Sequence, residues 1–261
     1  MNSAREGWLA WGRIVGFGGH VIRRIYSGRV LRVFGETLRQ ASLLITSSVT
    51  VVLGLVFVLG LQCGIEGAYG SAAVGAGNVA GAITALCDLR EVTPYAFGYM
   101  MAAKVATGYA AEIGSMRIGE EIDALDVMGV ESITFLCATR VLAVWLVLPF
   151  LYAGAVAVGF IGSYLAVVGQ VGQTSGSAYL DIFWQFQSPP DMLFSAIKAM
   201  VMATFVTIVG CYYGYTASGG PIGVGRATAR SMAVNIVGIH VIGIVGTQLF
   251  WGNNPRTPVG G

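Results

Sequence analysis

Six of the thirteen acidic side chains of this 261-residue chain lie within residues 112–132, which read EIGSMRIGEEIDALDVMGVES. They are Glu112, Glu120, Glu121, Asp123, Asp126 and Glu131. Ser115 can cap the first turn of a helix and Gly129 can end it, so the pattern predicts one helix from Ser115 to Met128. Such a helix is too short and too charged to cross a bilayer.

One face of this predicted helix is apolar. Ile118, Ile122 and Leu125 are spaced i, i+4 and i+7, and acidic side chains cover the rest of the surface. An apolar ridge flanked by acids suits a groove lined with apolar and basic side chains on another protein. A solvated helix that packs on its own chain produces the same pattern, and the spacing alone does not separate the two.

A second set of polar side chains lies inside apolar segments. Lys104, Asn235 and His240 are costly in lipid, so we expect them to face a bundle interior or a cavity. Lys104 is the strongest functional candidate, whereas Asn235 and His240 suit hydrogen bonds between helices better than ligand contacts. Lys198 lies near a predicted helix end, where its ammonium group can extend to the interface.

Several common kinds of active site have no counterpart in the sequence. There is no GxxxxGK[ST] nucleotide loop, no HExxH and no GxSxG motif. The four cysteines, Cys63, Cys87, Cys137 and Cys211, form no CxxC pair, so we interpret them as small packing residues. We therefore predict a protein that is not an enzyme, with no catalytic residue, metal site, cofactor or nucleic-acid partner.

The composition indicates a helical membrane protein. Hydrophobic residues make up 55% of the chain and charged residues only 11%, far below the quarter that is usual in soluble domains. Apolar runs predict about five membrane-spanning helices, with residues 67–87 left open as a sixth span or a helix packed outside. The predicted spans are residues 41–62, 92–111, 141–166, 192–217 and 231–251. The predicted fold class is thus an all-α, polytopic membrane protein.

The distribution of basic residues favours the five-span arrangement. With the N-terminus inside, ten basic residues fall in inner loops and two in outer loops, against nine and three if residues 67–87 also span. Basic residues prefer the cytoplasmic side, so residues 112–132 are predicted to be cytoplasmic. The predicted location is a cytoplasmic (inner or plasma) membrane, with several passes and a cytoplasmic N-terminus.

The first 40 residues are basic and aromatic. Apolar residues recur from Ile22 to Leu38 with arginines between them, which is typical of a helix lying in the membrane interface. An ordinary helix packed on the rest of the protein is the alternative. Trp8 and Trp11 also suit a membrane boundary. The predicted domains are an interfacial region at 1–40, a membrane domain at 41–252 and an outer tail at 253–261.

Three motifs resemble those of the MlaE/YrbE permease family. AAEIGSMRIGEEIDALDVMGV (110–130) resembles the family signature, LREVTP (89–94) resembles its R-E-L-x-P element, and GGPIGVGRATARSMAVN (219–235) resembles the turn before its last span. CYYGYTASGGP (211–221) is most similar to actinobacterial YrbE subunits encoded with Mce proteins. Glu131-Ser132 stands where the family has Asp-Pro, Thr139-Arg140 where it has Pro-Arg, and Lys104 where we expect Arg. These departures suggest one half of a heterodimer.

The resemblance implies the membrane subunit of an ABC-type lipid transporter that works with MCE proteins on the outer side. Two permease subunits, identical or not, would enclose a lipid-binding cavity and bind a separate cytoplasmic ATPase. The acidic helix would be the coupling helix that the ATPase holds. The implied coupling residues are Glu112, Arg117, Ile118, Glu120, Glu121, Ile122, Asp123, Leu125 and Asp126. The substrate would be a phospholipid, fatty acid or sterol, and we expect import.

Two other function classes remain open at the level of the sequence. A secondary transporter or channel usually carries acidic residues inside its spans, and the predicted spans contain none. The other class is a non-transporting membrane scaffold for MCE proteins. Transport by the purified protein alone, without ATP, would favour the first class, and lipid found inside a dimer cavity would argue against the second.

Overall fold

The fold is helical throughout the part of the chain that is described. The computed structural model describes the backbone of residues 2–172 and 174–253, and side chains from residue 11 within those ranges except Asn78; no strand occurs among them. The side chain of Trp8 and nearly all of the predicted outer tail lie outside the described residues. The prediction of an all-α protein is confirmed.

Ten α-helices follow one another along the chain. They are α1 Asn2–Tyr26, α2 Phe34–Ala73, α3 Ala80–Cys87, α4 Thr93–Met100, α5 Thr107–Ile118, α6 Glu121–Val127, α7 Thr139–Tyr164, α8 Gly176–Gln185, α9 Pro189–Tyr215 and α10 Gly220–Trp251. Short π-helical segments join several of them, so the backbone stays helical without interruption from Ala80 to Ile118. Pro149 lies inside α7 without ending it.

Among the described residues, four helical segments are long and apolar enough to cross a membrane. They are Arg29–Ala73, Thr134–Val171, Pro189–Tyr215 and Gly220–Trp251. They contain the predicted first, third and last spans and most of the fourth. The predicted span at 92–111 lies in the continuous helical run from Ala80 to Ile118, which is not one of the four. The chain is therefore a multi-pass membrane protein.

The structure excludes a single spanning helix over residues 67–87. The chain turns at Val74 and Gly75, where φ of Gly75 is +72°, and a 3-10 turn at Gly77–Val79 precedes α3. A Cβ atom on Gly67 would lie 3.1 Å from Thr84 Cγ2, so the end of α2 packs directly against α3. Residues 67–87 form a helical hairpin.

This hairpin also joins two cysteines, which corrects their interpretation as packing residues only. Cys63 and Cys87 form a disulfide with their Cα atoms 6.7 Å apart. The sequence distance hides the pair because only the turn at Gly75 brings the cysteines together. Cys137 and Cys211 are free and buried, in keeping with a packing role.

The N-terminal region differs from the predicted helix running from Ile22 to Leu38. The backbone breaks at Gly28, whose φ of +73° is easy for glycine, and a 3-10 turn at Arg29–Val33 leads into α2. One face of α1 packs on the protein, since the Phe17 ring lies 5.6 Å from the Tyr212 ring. Trp11 and Val15 remain exposed on the same helix. Helix α1 thus combines features of both readings of this region.

Two compact units make up the chain. The first comprises residues 1–47, 101–147 and 203–238, and the second comprises 48–100, 148–202 and 239–261. In the first unit, Gly210 and Gly214 let α9 approach the helical run at Ala106 and Ala110.

In the second unit, Gly60 on α2 meets Gly159 on α7 backbone to backbone. The short helix α8 is capped by Ser175 and buries Tyr179 and Phe183 in an aromatic cluster. Close glycine contacts and this cluster hold the second unit together.

Candidate functional site

The acidic segment forms a short helix that projects from a turn. The predicted single helix from Ser115 to Met128 is wrong: α5 ends at Ile118, and α6 covers only Glu121–Val127. Glu120 adopts a left-handed conformation with φ +60°, which breaks the helix. Ser115 lies inside α5, where its hydroxyl donates to the Glu112 carbonyl at 2.8 Å instead of capping a first turn.

The predicted stop at Gly129 is confirmed. Its φ is +79°, and its N–H donates to the Asp126 carbonyl at 3.0 Å. The N–H of Val130 donates to the Leu125 carbonyl at 3.0 Å, which completes a Schellman motif. Helix α6 is therefore fixed at its C-terminal end by backbone hydrogen bonds.

The apolar side chains of this segment are divided between the protein interior and the surface. Ile122 is 0% exposed, so it anchors α6 to its own chain and cannot belong to a docking ridge. Leu125 is half-buried, and Ile118 lies at the surface. Val127 and Met128, which the predicted apolar face did not include, are 89% and 69% exposed. Both residues stand directly before Gly129. Apolar residues next to a predicted helix end were the feature of the sequence that could have identified them.

The acidic side chains divide in the same way. Glu112 pairs with Arg140 at 2.7 Å, and Asp123 pairs with Arg117 at 2.7 Å. Asp126 accepts hydrogen bonds from the backbone N–H and the hydroxyl of Ser132, both at 3.1 Å. These three carboxylates are therefore engaged in contacts within the chain itself.

Glu120, which directly precedes α6, and Glu121, its first residue, carry negative charges that a partner protein could bind. Both are exposed, and neither forms an ion pair with any side chain that the structure describes. Together with Val127 and Met128 they form a surface of acidic and apolar groups, which we call the α6 surface. Such a surface matches a basic and apolar groove on a partner.

Glu131 connects the acidic segment to the N-terminal region. Its carboxylate accepts a hydrogen bond from Arg24 on α1 at 2.6 Å and another from Arg29 in the 3-10 turn. Thr134 donates to its second oxygen at 2.9 Å. The Thr134 hydrogen bond, with the two arginines, lowers the pKa of Glu131 below its ordinary value. The carboxylate therefore stays ionised and holds α1 against the chain that follows α6.

The polar groups predicted inside apolar segments have separate partners. Lys104 lies in a π-helical turn and donates to the backbone carbonyl of Ser47. Asn235 is buried, and its Nδ2 donates to Ser231 Oγ at 3.4 Å on the same helix. His240 Nε2 lies 2.9 Å from the Tyr99 hydroxyl. Hydrogen bonding to another helix therefore holds for His240, whereas the Asn235–Ser231 hydrogen bond lies within α10.

Lys198 does not extend to the interface as predicted. It is 1% exposed, and its Nζ donates to the Arg90 carbonyl at 2.8 Å, to Glu91 Oε2 at 2.9 Å and to Thr247 Oγ1 at 2.8 Å. Glu91, 107 positions away in sequence, supplies the negative charge that offsets the desolvation cost of burying the Lys198 ammonium group. A partner at that distance in the chain is not visible in the local apolar pattern.

A second ion pair lies in the same unit, and both of its partners are buried. Arg90 donates to Asp191 Oδ2 at 3.0 Å, and Trp251 donates to Asp191 Oδ1 at 2.8 Å. Helix α9 begins at Pro189, before the predicted span at 192–217, so this long apolar helix does contain an acidic residue. That finding weakens the argument against a secondary transporter, although the carboxylate is fully paired.

Comparison with known proteins identifies the family to which the chain belongs. The sequence profile of the family Permease MlaE matches residues 37–249. A "Probable ABC transporter permease protein" of Rickettsia bellii is 31% identical over 78% of this chain and 78% of its own length. A protein with the same description from Synechocystis sp. is 29% identical over 85% of this chain and 84% of its own length.

A plant protein is similar over an even larger part of the chain. The Arabidopsis thaliana protein TRIGALACTOSYLDIACYLGLYCEROL 1, chloroplastic, is 29% identical over 89% of this chain and 66% of its own length. The profile match covers most of the chain, including α6 and all of α10 except its last two residues. This chain belongs to the MlaE permease family and is a permease subunit of an ABC transporter, which acts with an ATPase and a second permease subunit.

Proposed function

We propose that this permease moves a hydrophobic lipid across the cell envelope, with MCE proteins on the outer side and import as the direction. The lipid would be a phospholipid, fatty acid or sterol, held in a cavity formed by two permease subunits. The name of the Arabidopsis relative refers to a glycerolipid, which supports a lipid substrate. The resemblance of residues 211–221 to YrbE subunits supports the MCE partnership.

The α6 surface carries the proposal for coupling. Buried Ile122 and the Schellman motif fix α6 in place, while Glu120, Glu121, Val127 and Met128 point to no partner within the described chain. We propose that this surface seats in a groove of the cytoplasmic ATPase. The intramembrane groups Lys104, Asn235 and His240 remain candidates for the lining of the cavity.

Two features support a cytoplasmic N-terminus and a cytoplasmic α6. Basic residues concentrate in the loops that this orientation places inside. Cys63 of the Cys63–Cys87 disulfide lies in the second half of α2, whereas the arginine-rich stretch at residues 23–32 precedes the helix, and disulfides persist in oxidising compartments. The membrane would then be the cytoplasmic membrane.

Charge reversal on α6 tests the docking proposal. The double variant Glu120→Lys and Glu121→Lys should reduce co-purification of the ATPase at least ten-fold, because like charges would face a basic groove. The control variant Glu66→Lys and Asp181→Lys changes two exposed acids outside the segment by the same charge. Unchanged ATPase recovery with the α6 variant, at normal membrane levels, would refute docking at this surface.

Bound lipid tests the substrate proposal separately. Native mass spectrometry of the purified permease pair should detect a phospholipid, fatty acid or sterol that survives removal of detergent. A pair that carries no lipid, and yet retains MCE proteins, would instead support the membrane-scaffold function. The docking and lipid experiments can fail independently of each other.

A further inference from the structure

A basic cavity lies in the first unit, and none of the residues of α6 lines it. It has a volume of about 800 Å³. Helix α1 contributes Arg13 and Phe17, the end of α9 contributes Tyr212 and Tyr213, and the beginning of α10 contributes further residues. We call this cavity the arginine pocket, because its charged lining residues are Arg13, Arg226 and Arg230.

The charge of the arginine pocket is uncompensated. None of its lining residues is acidic, and its three arginines form no ion pair with a side chain that the structure describes. Among the other arginines whose side chains are described, six pair with carboxylates and two, Arg23 and Arg32, do not; the six are Arg24, Arg29, Arg39, Arg90, Arg117 and Arg140. Arg226 and Arg230 are four positions apart on α10, so they share a helix face. An anion bound between these arginines would relieve their repulsion.

The size and remaining lining of the pocket indicate the kind of anion. A cavity of several hundred Å³ fits an organic ligand rather than a lone inorganic ion. Tyr212 and Tyr213 offer both an apolar ring and a hydroxyl group, and the Phe17 ring packs edge-on against Tyr212. Guanidinium groups bind phosphate oxygens in a bidentate fashion. The chemistry suits a phosphate ester attached to a partly apolar body.

The helices around the pocket are also suited to a membrane boundary. Helix α1 exposes Trp11 and Val15, and α10 exposes Ile222 near its start. Basic pockets beside membrane helices on the cytoplasmic side recognise anionic lipid head groups. We propose that the arginine pocket binds the head-group phosphate of an anionic phospholipid of the cytoplasmic leaflet. The proposal uses the orientation proposed above but does not depend on transport or on ATPase docking.

Lipid binding to the detergent-solubilised full-length protein tests this site. Dioleoylphosphatidylglycerol should bind and raise the thermal unfolding midpoint, whereas dioleoylphosphatidylcholine at the same concentration should do so at least ten-fold more weakly. The double variant Arg226→Gln and Arg230→Gln should lower the affinity for phosphatidylglycerol at least ten-fold, because two charge-assisted contacts are lost. The control Arg23→Gln and Arg32→Gln removes the same charge outside the pocket and should change the affinity less than two-fold.

Several results would overturn the proposal. Equal losses in the two double variants would mean that surface charge alone attracts the lipid. Inorganic phosphate binding as tightly as phosphatidylglycerol would make this a small-anion site. Release of a protein partner by the pocket variants, with no effect on lipid binding, would make the pocket a protein contact.

Folding is controlled in two ways. The unfolding midpoint without lipid identifies a damaged variant, and in that case Arg226→Lys with Arg230→Lys replaces the Gln pair. Because Lys keeps the charge but loses the bidentate geometry, we expect the affinity to fall while selectivity over phosphatidylcholine remains. The proposal would be contradicted if the Lys double variant and Arg13→Gln both bound phosphatidylglycerol with unchanged affinity and unchanged selectivity.

Discussion

At the scale of single residues, carboxylates that resemble one another in sequence serve different purposes. Asp126 and Glu112 are bound within their own chain, Glu131 holds two arginines, and Glu120 and Glu121 face outward. The number of available charges on α6 is therefore smaller than the six acids of residues 112–132. The contact that each carboxylate makes decides its role.

The ion pairs of Glu131 predict a pH dependence. Because folding lowers the pKa of this carboxyl, its contribution to stability is complete above the ordinary value of 4.5 and is lost as the pH falls through the lowered folded-state value. Glu131→Gln should lower the thermal unfolding midpoint by a few degrees at most at pH 7. The difference from wild type should shrink at acidic pH.

Glu121→Gln serves as the control, because Glu121 is also an exposed glutamate but has no ion pair among the described side chains. Its unfolding midpoint should follow the wild type at each pH. A Glu131→Gln variant whose difference from wild type stays constant from pH 7 to well below pH 4.5 would show that the carboxylate charge contributes nothing.

The buried pair of Arg90 and Asp191 predicts a larger effect. Asp191→Ala removes the partner of a buried guanidinium group and one acceptor of Trp251, so it should cost about 3–5 kcal/mol of stability. Thermal unfolding in detergent measures the loss. Asp181→Ala, at an exposed position on α8, should change the midpoint little. Equal midpoints for the two variants would contradict a structural role for the pair.

Part of this detail follows from the sequence and part cannot. Gly129 could be predicted as a helix stop because left-handed backbone favours glycine. The same conformation at Glu120 could not, since glutamate normally continues a helix and only tertiary contacts impose the turn. The spacing of Ile118, Ile122 and Leu125 identified an apolar face, but not that Ile122 would be buried within its own chain.

At the scale of helices, glycine determines which elements approach closely. A Cβ atom on Gly60 would lie 2.3 Å from the Gly159 carbonyl oxygen, so α2 and α7 meet there without side chains between them. Gly54 lies on the same helix with open space around it. The two positions are a matched pair for the same substitution.

Gly60→Ala should destabilise the protein by about 1–3 kcal/mol, because α2 and α7 must separate to admit the methyl group. Gly54→Ala should be neutral or stabilising by up to about 1 kcal/mol, because alanine favours the helix more than glycine. Unfolding midpoints of the two variants provide the comparison. A smaller loss for Gly60→Ala than for Gly54→Ala would contradict the close helix contact.

The α2–α3 hairpin makes a separate prediction about cysteine chemistry. Protein isolated from membranes and denatured without reductant should take up two iodoacetamide groups, on Cys137 and Cys211, and four after reduction. Peptide mass spectrometry identifies the modified positions. Four adducts without reduction would show that Cys63 and Cys87 are thiols and would remove the support that the disulfide gives to the proposed orientation.

At the scale of the whole molecule, the sequence predicts the class better than the connections. Composition alone indicates a helical membrane protein, because uncharged apolar segments of about 20 residues are typical of membrane-spanning helices. Pairing of Lys198 with Glu91, and of Cys63 with Cys87, depends on contacts between distant parts of the chain. Such contacts require the fold, and one sequence does not contain them in a local pattern.

The central claim is that a separate ATPase drives lipid movement through this permease. Its most direct test is transport of a fluorescent phospholipid in proteoliposomes containing the permease pair, with and without the ATPase and ATP. We expect transport only with both, and a loss of at least ten-fold when Glu120 and Glu121 are replaced by Lys. Lipid movement at the same rate without ATPase or ATP would contradict the account and identify a secondary transporter.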